Sequence, residues 1–192
     1  MAGYIGSKTS VTVISPQTDS RYVNVTGDTM TGSLTATAFV GDGSSLTNLP
    51  ASGTLLGSAH AATSTALTAS VSFPLDNTTP QSNEGVQLLT LNYTPQSATS
   101  KLIVFAGSHA LGYHQIAVFS SNSTDAIAAT ASNHSPSNGF GDTSFIAGQI
   151  NSVGTSQLTF QLRGGSGSGT AYFNRYLGDA AKTTITVMEV QQ

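Results

Sequence analysis

The sequence predicts an all-β chain, an extended shaft followed by an antiparallel sandwich, on three observations. Residues 33–40 alternate, with Leu34, Ala36, Ala38 and Val40 on one side and Ser33, Thr35, Thr37 and Phe39 on the other, which is the period of an extended strand. From Val71 onward short β-prone runs recur at intervals of about ten residues between turn-forming clusters, and no amphipathic helix pattern interrupts them. Ser and Thr together number 54 of 192 residues, with 20 Gly and only 8% charged residues, so a folded surface has to be covered by hydroxyls and amides.

The same composition excludes several classes. Nine acidic and six basic residues give a formal net charge of −3, and the basic side chains are scattered singly. No basic track follows a phosphate backbone, so nucleic-acid binding is not expected. No apolar run reaches the roughly 18 residues of a membrane span, and the first residues lack the basic cluster and apolar stretch of a secretory signal. The lack of cysteine removes disulfides and thiolate chemistry, which leaves oligomeric burial as the expected source of durability. A hydrophobic fraction of 38% is too high for a solvated tail.

Residues 1–21 carry Tyr4, Ile5, Lys8 and the alternating pair Val11 and Val13, and close at Pro16. Mixed apolar and Gly content suits a segment ordered by its partner, and a docking peptide is expected here; a frayed terminus is the plain alternative. Residues 22–53 form the shaft. Its apolar stripe is thin, and modest side chains bounded by Gly32 and Gly41-Asp42-Gly43 cannot close a core within one chain. Leu34, Ala36, Ala38 and Val40, followed by Leu46 and Leu49, are therefore expected to pack against other chains.

The stretch Gly27-Asp-Thr-Met-Thr-Gly-Ser-Leu34 resembles the repeat of bacteriophage tail-fibre proteins. The stretch Phe39-Val-Gly-Asp-Gly-Ser-Ser-Leu-Thr-Asn-Leu-Pro50 resembles the motif that often follows it in phage fibres, and Gly3-Tyr-Ile-Gly-Ser-Lys8 is similar to the opening of tail-associated proteins. The resemblance implies a homotrimeric, elongated virion component in which strands from three chains intertwine about one axis and the N-terminus docks onto the particle.

Residues 54–70 are rich in Ala, Ser and Thr and carry no charge. Ala favours a helix, Thr and Ser oppose it, and the apolar spacing is no clean heptad, so an extended or short-helical neck is expected. Residues 71–192 form the head, with strands expected at 71–73, 86–93, 101–110, 113–120, 126–132, 143–150, 157–162, 170–176 and 183–190. About 120 residues suffice for one sandwich core. The glycine-rich residues 164–169 are expected as a flexible hairpin loop, since neither a following helix nor an acidic residue some 20 positions on supports a dinucleotide fingerprint.

The head also resembles a family. Leu91-Asn-Tyr-Thr-Pro-Gln-Ser-Ala-Thr-Ser-Lys-Leu-Ile-Val104, Tyr172-Phe-Asn-Arg-Tyr176 and the terminal Thr183-Thr-Ile-Thr-Val-Met-Glu-Val190 are similar in order and spacing to the C-terminal heads of many phage fibres. Those heads look like trimeric jelly-rolls of the C1q and tumour-necrosis-factor type. Val187 and Met188, apolar on opposite faces of the last strand, fit a strand with one face in the sandwich and the other against a neighbour.

No catalytic residues can be nominated, because the nine carboxylates are dispersed and no nucleophile, base and orienter fall together. His109 and His114 straddle Gly112 and could meet across a hairpin, but no carboxylate lies near them and a metal site needs three or four ligands. Neither a metal nor a cofactor is expected. The loop carrying His134, Asn138, Phe140 and Asp142 is the leading recognition candidate, since an aromatic among planar hydrogen-bonding groups suits sugar; a Phe140 tucked into the core is the alternative. Tyr113, His114 and the tip at residues 120–125 are further candidates.

Together these features predict a short trimeric virion fibre, docked by its N-terminus to the phage tail or baseplate, with a head that attaches to a host-surface glycan or protein. It is expected at the virion surface, without membrane insertion. A capsid-decorating fibre and, outside that class, a soluble C1q-like or lectin-like binding module stand as alternatives.

Overall fold

A computed structural model describes residues 53–71, 73–74, 76–133 and 141–192. They are all-β, with ten strands: β1 Leu55–Thr63, β2 Leu67–Ala69, β3 Val86–Tyr93, β4 Lys101–Leu111, β5 Tyr113–Ser120, β6 Ala128–Asn133, β7 Asp142–Asn151, β8 Leu158–Ser166, β9 Ala171–Phe173 and β10 Thr183–Val190. Two antiparallel sheets result. The first runs β1-β10-β4 and is continued by β7 on β4, while β9 pairs with β4 at Ala110 and Leu111 and carries β2. The second runs β3-β8-β5-β6.

Period-two alternation builds the core. Along β10, Thr183, Ile185, Val187 and Glu189 are buried, whereas Thr184, Thr186, Met188 and Val190 face the other way and are half-buried. Leu102, Val104 and Ala106 of β4 and Ile146 of β7 join Ile185 and Val187; Leu91, Phe160, Leu162, Ile116 and Val118 belong to the same cluster from the second sheet. Fully buried Phe160 and Phe173 each contribute about 1.5–3 kcal/mol of transfer free energy.

The two outer faces differ. On β5 even the residues that alternate with Ile116 and Val118 are buried. Ala117 and Phe119 cluster with Phe73, whose ring lies 6.4 Å from that of Phe119 and whose N–H donates to Gln115 Oε1 at 3.1 Å. The segment between β2 and β3 thus roofs part of the second sheet. No comparable segment among the described residues covers the first sheet.

Several expectations need correction. Residues 54–70 are not a separate neck: β1 pairs with β10 from Leu55↔Val190 to Thr63↔Thr183, so the sandwich begins at Leu55 rather than Val71. The small side chains of Ala59 and Ala61 pack on the core, giving an inward stripe too thin to recognise as one. The strand expected at 71–73 lies instead at β2, paired with β9. Residues 164–166, expected in a flexible loop, continue β8 and pair with β5. Gly164 is required there, because a Cβ would lie 2.6 Å from Phe173 Cζ and 2.7 Å from Leu88 Cδ1. His109 and His114 do not face each other across a hairpin, since Gly112, at φ 85°, carries the chain from the first sheet into the second. No helix among the described residues is long and apolar enough to cross a membrane.

Candidate functional site

The open face of the first sheet is the candidate site, and its residues follow from the register. Leu55 lies opposite Val190, Ser58 opposite Met188 and His60 opposite Thr186. Across β10, Val190 meets Lys101, Met188 meets Ile103 and Thr186 meets Phe105. Across β4, Phe105 meets Ala147 and Gly107 meets Phe145. These residues share one face because directly opposite residues point the same way.

Phe145 is 63% exposed and Leu55 52%. The Phe145 ring stacks on Phe105, with centroids 6.1 Å apart and planes at 21°. It also lies beside Gly107, where a Cβ would come within 3.4 Å of Phe145 Cδ2. Uncharged polar and small residues, among them Ser58, His60, Thr186, Gln149 and Asn151, fill the rest, and Lys101 at the start of β4 is the one formal charge among the paired residues named. A face of this kind can bury apolar area against a partner without desolvating ions, at about 25 cal/mol per Å² removed from water.

Directly behind this face a buried carboxylate fixes the end of β10. Glu189 is fully buried and accepts from Tyr93 Oη at 2.7 Å, Ser100 Oγ at 2.5 Å, the Ser97 N–H at 2.9 Å and the Gln96 N–H at 2.8 and 3.0 Å. Burial alone would raise its pKa; the hydrogen bonds from Ser100, Gln96, Tyr93 and Ser97 outweigh burial and hold the carboxyl below its ordinary value. Burial, and then the Glu189 contact, push the Tyr93 phenol well above its usual range, so it remains a donor. The lock ties β10 to the loop between β3 and β4, and Gln96 Nε2 also donates to Leu56 O at 2.7 Å on β1. Three strands of the open face, β1, β10 and β4, are thereby held in one arrangement.

Of the residues singled out from sequence, Tyr4, Ile5, Lys8, Val11, Val13, Leu34, Ala36, Ala38, Val40, Leu46 and Leu49 lie outside the described residues, as do His134, Asn138 and Phe140. Asp142 is described: it opens β7, accepts from Ser132 Oγ and takes the Thr143 N–H at 2.8 Å, so it fastens the base of the loop between β6 and β7. His114 is fully buried, bonded to Gly112 O at 3.0 Å and Ser144 Oγ at 2.9 Å. Exposed His60 is bonded to Thr186 Oγ1 at 2.9 Å. Among the described residues no group of three or more His, Asp or Glu could hold a metal ion.

The Glu189 lock and the Phe105–Phe145 stack were missed in the sequence. Met188 was the available signal, an apolar residue on the outward parity of β10, and the same parity test applied to Ile103 and Phe105 of β4 would have extended it across the sheet. No protein-family model matches this chain, and no curated protein matches it significantly.

Proposed function

We propose that this chain is a short homotrimeric fibre of a bacteriophage particle, with an N-terminal docking peptide, an intertwined shaft and a jelly-roll head that attaches to the host surface. The observation that carries the trimer is the contrast between the two sheets. One is partly roofed by its own chain; the other, among the described residues, presents Leu55, Met188, Ile103, Phe105 and Phe145 with almost no charge. The shaft's thin stripe asks for the same neighbours. Strand order supports the jelly-roll: with the short β2 and β9 set aside, eight strands numbered along the chain fall into sheets of order 1-8-3-6 and 2-7-4-5, two interleaved Greek keys.

The phage assignment rests on the succession of two fibre motifs in residues 27–50. Tail or baseplate placement is preferred on those motifs, with a capsid-decorating fibre as the second placement. Purified particles labelled with antibody against this chain test it: label on tail or baseplate fibres is expected, label confined to the capsid would move the placement, and unlabelled particles would overturn the assignment.

A further inference from the structure

A second concave surface lies away from the open face, between the β5–β6 connection and β8. It has a volume of about 490 Å³ and is lined by Ser82, Asn122, Thr124, Thr159 and Gln161, with the buried Phe119 beneath its polar rim at only 2% exposure. Its walls are braced by the chain itself. The turn at residues 120–123 closes through Ser123 N–H to Ser120 O at 3.1 Å and is tied to β8 by Ser121 N–H to Thr159 O at 2.9 Å and Thr159 N–H to Ser121 Oγ at 3.1 Å. Ser82 N–H donates to Thr124 O at 2.8 Å and closes the other side.

What is left over inside is informative. Asn122 Oδ1 is taken by Ser120 Oγ, which leaves its NH₂ group as a donor. The Gln161 amide, half-buried on β8, makes no hydrogen bond within the described residues and offers both a donor and an acceptor, and the Thr124 hydroxyl joins them. Among the described residues no charged side chain lines the cleft. Arg163, two residues along β8 from Gln161, is committed to the carbonyls of Glu84 at 2.7 Å and Gly85 at 2.8 Å. A phosphate or carboxylate would find no counter-charge here. A neutral polyhydroxylated ligand would find planar amides and hydroxyls in a pre-braced frame, which lowers the ordering cost of binding.

We infer that this cleft binds an uncharged sugar residue, with Gln161 and Asn122 as its polar contacts. The inference deepens the host-attachment proposal and takes its biological setting from it. Three copies would raise a weak single-site affinity through avidity.

Saturation-transfer NMR on the full-length protein tests the cleft, with free glucose, galactose and N-acetylglucosamine as neutral probes and glucuronic and N-acetylneuraminic acids as anionic ones. Transfer to at least one neutral sugar and to neither acid is expected. Gln161→Ala should weaken that binding by about tenfold, the order for an amide donor and acceptor lost together, with melting unchanged. Should Gln161→Ala misfold, Thr124→Val on the opposite wall provides the same comparison. No transfer to any neutral sugar, equal transfer to the acids, or full binding by the variant would overturn the inference. Absent sugar binding together with normal adsorption to host cells would overturn the cleft alone. Sugar binding that Gln161→Ala abolishes, with adsorption unaffected, would support the cleft and count against attachment through it.

Discussion

Replacing Glu189 with Gln keeps the shape of the lock and removes its charge. The carboxylate takes five hydrogen bonds from four residues, with the backbone N–H groups of Gln96 and Ser97 among the donors. An amide oxygen can still serve the donors on one side, but its NH₂ meets the Gln96 N–H and the Tyr93 hydroxyl, and only the hydroxyl can reverse. Two or three bonds fall from charged to neutral at about 1 kcal/mol each, so Glu189→Gln should cost about 2–3 kcal/mol at neutral pH. In a domain of this size that lowers the thermal midpoint by about 5–10 °C. The pH dependence follows from the depressed native pKa: the stabilisation is complete above the ordinary glutamate value of 4.5 and is lost as pH falls through the lower native value. Melting curves of both proteins from pH 7 to pH 3 read this directly, since other carboxylates titrate alike in each. The gap should narrow as acid is added. A variant melting with the wild type at pH 7, or a gap undiminished at pH 3, would mean that the charged Glu189 does not hold β10 in this way.

Three further outcomes are expected. Phe145→Asp should leave the fold of a single head within about 0.5 kcal/mol of wild type, because the ring is exposed, yet weaken self-association at least about a hundredfold by setting a carboxylate in a dry interface; analytical ultracentrifugation reads it. Deleting residues 1–20 should preserve oligomerisation and head folding but abolish incorporation into particles, and truncated protein co-purifying with virions at normal copy number would contradict the docking role. Phe140→Ala should weaken adsorption to host cells while leaving the melting temperature unchanged; destabilisation by several kcal/mol would instead make Phe140 a core residue.

Much of the head was legible because alternation and turn residues report a half-buried strand directly. β3, β5 and β10 fall where the sequence places them, and β4 and β7 within one residue. The misses share a cause, which is side chains too small to signal burial. Ala59 and Ala61 give β1 an inward stripe that reads as neck, and Gly164 and Gly165 sit in β8 where Phe173 and Leu88 would clash with a Cβ at the first and Val71 and Phe73 crowd the second, although glycine clusters ordinarily mark loops. The Glu189 lock joins residues almost a hundred positions apart, and a lone acid in an apolar strand shows only that a partner is needed. Asp142 was singled out as part of a recognition loop; at the start of β7 its carboxylate accepts from Ser132 Oγ and the Thr143 N–H, bonds that a sequence pattern does not show.

The central claim is that copies of this chain associate in threes through shaft and open sheet face. Multi-angle light scattering of the full-length protein at micromolar concentration tests it most directly. One species of about three times the 19.5 kDa chain mass, persisting on dilution, is expected; a folded species of single-chain mass would rule out the trimer.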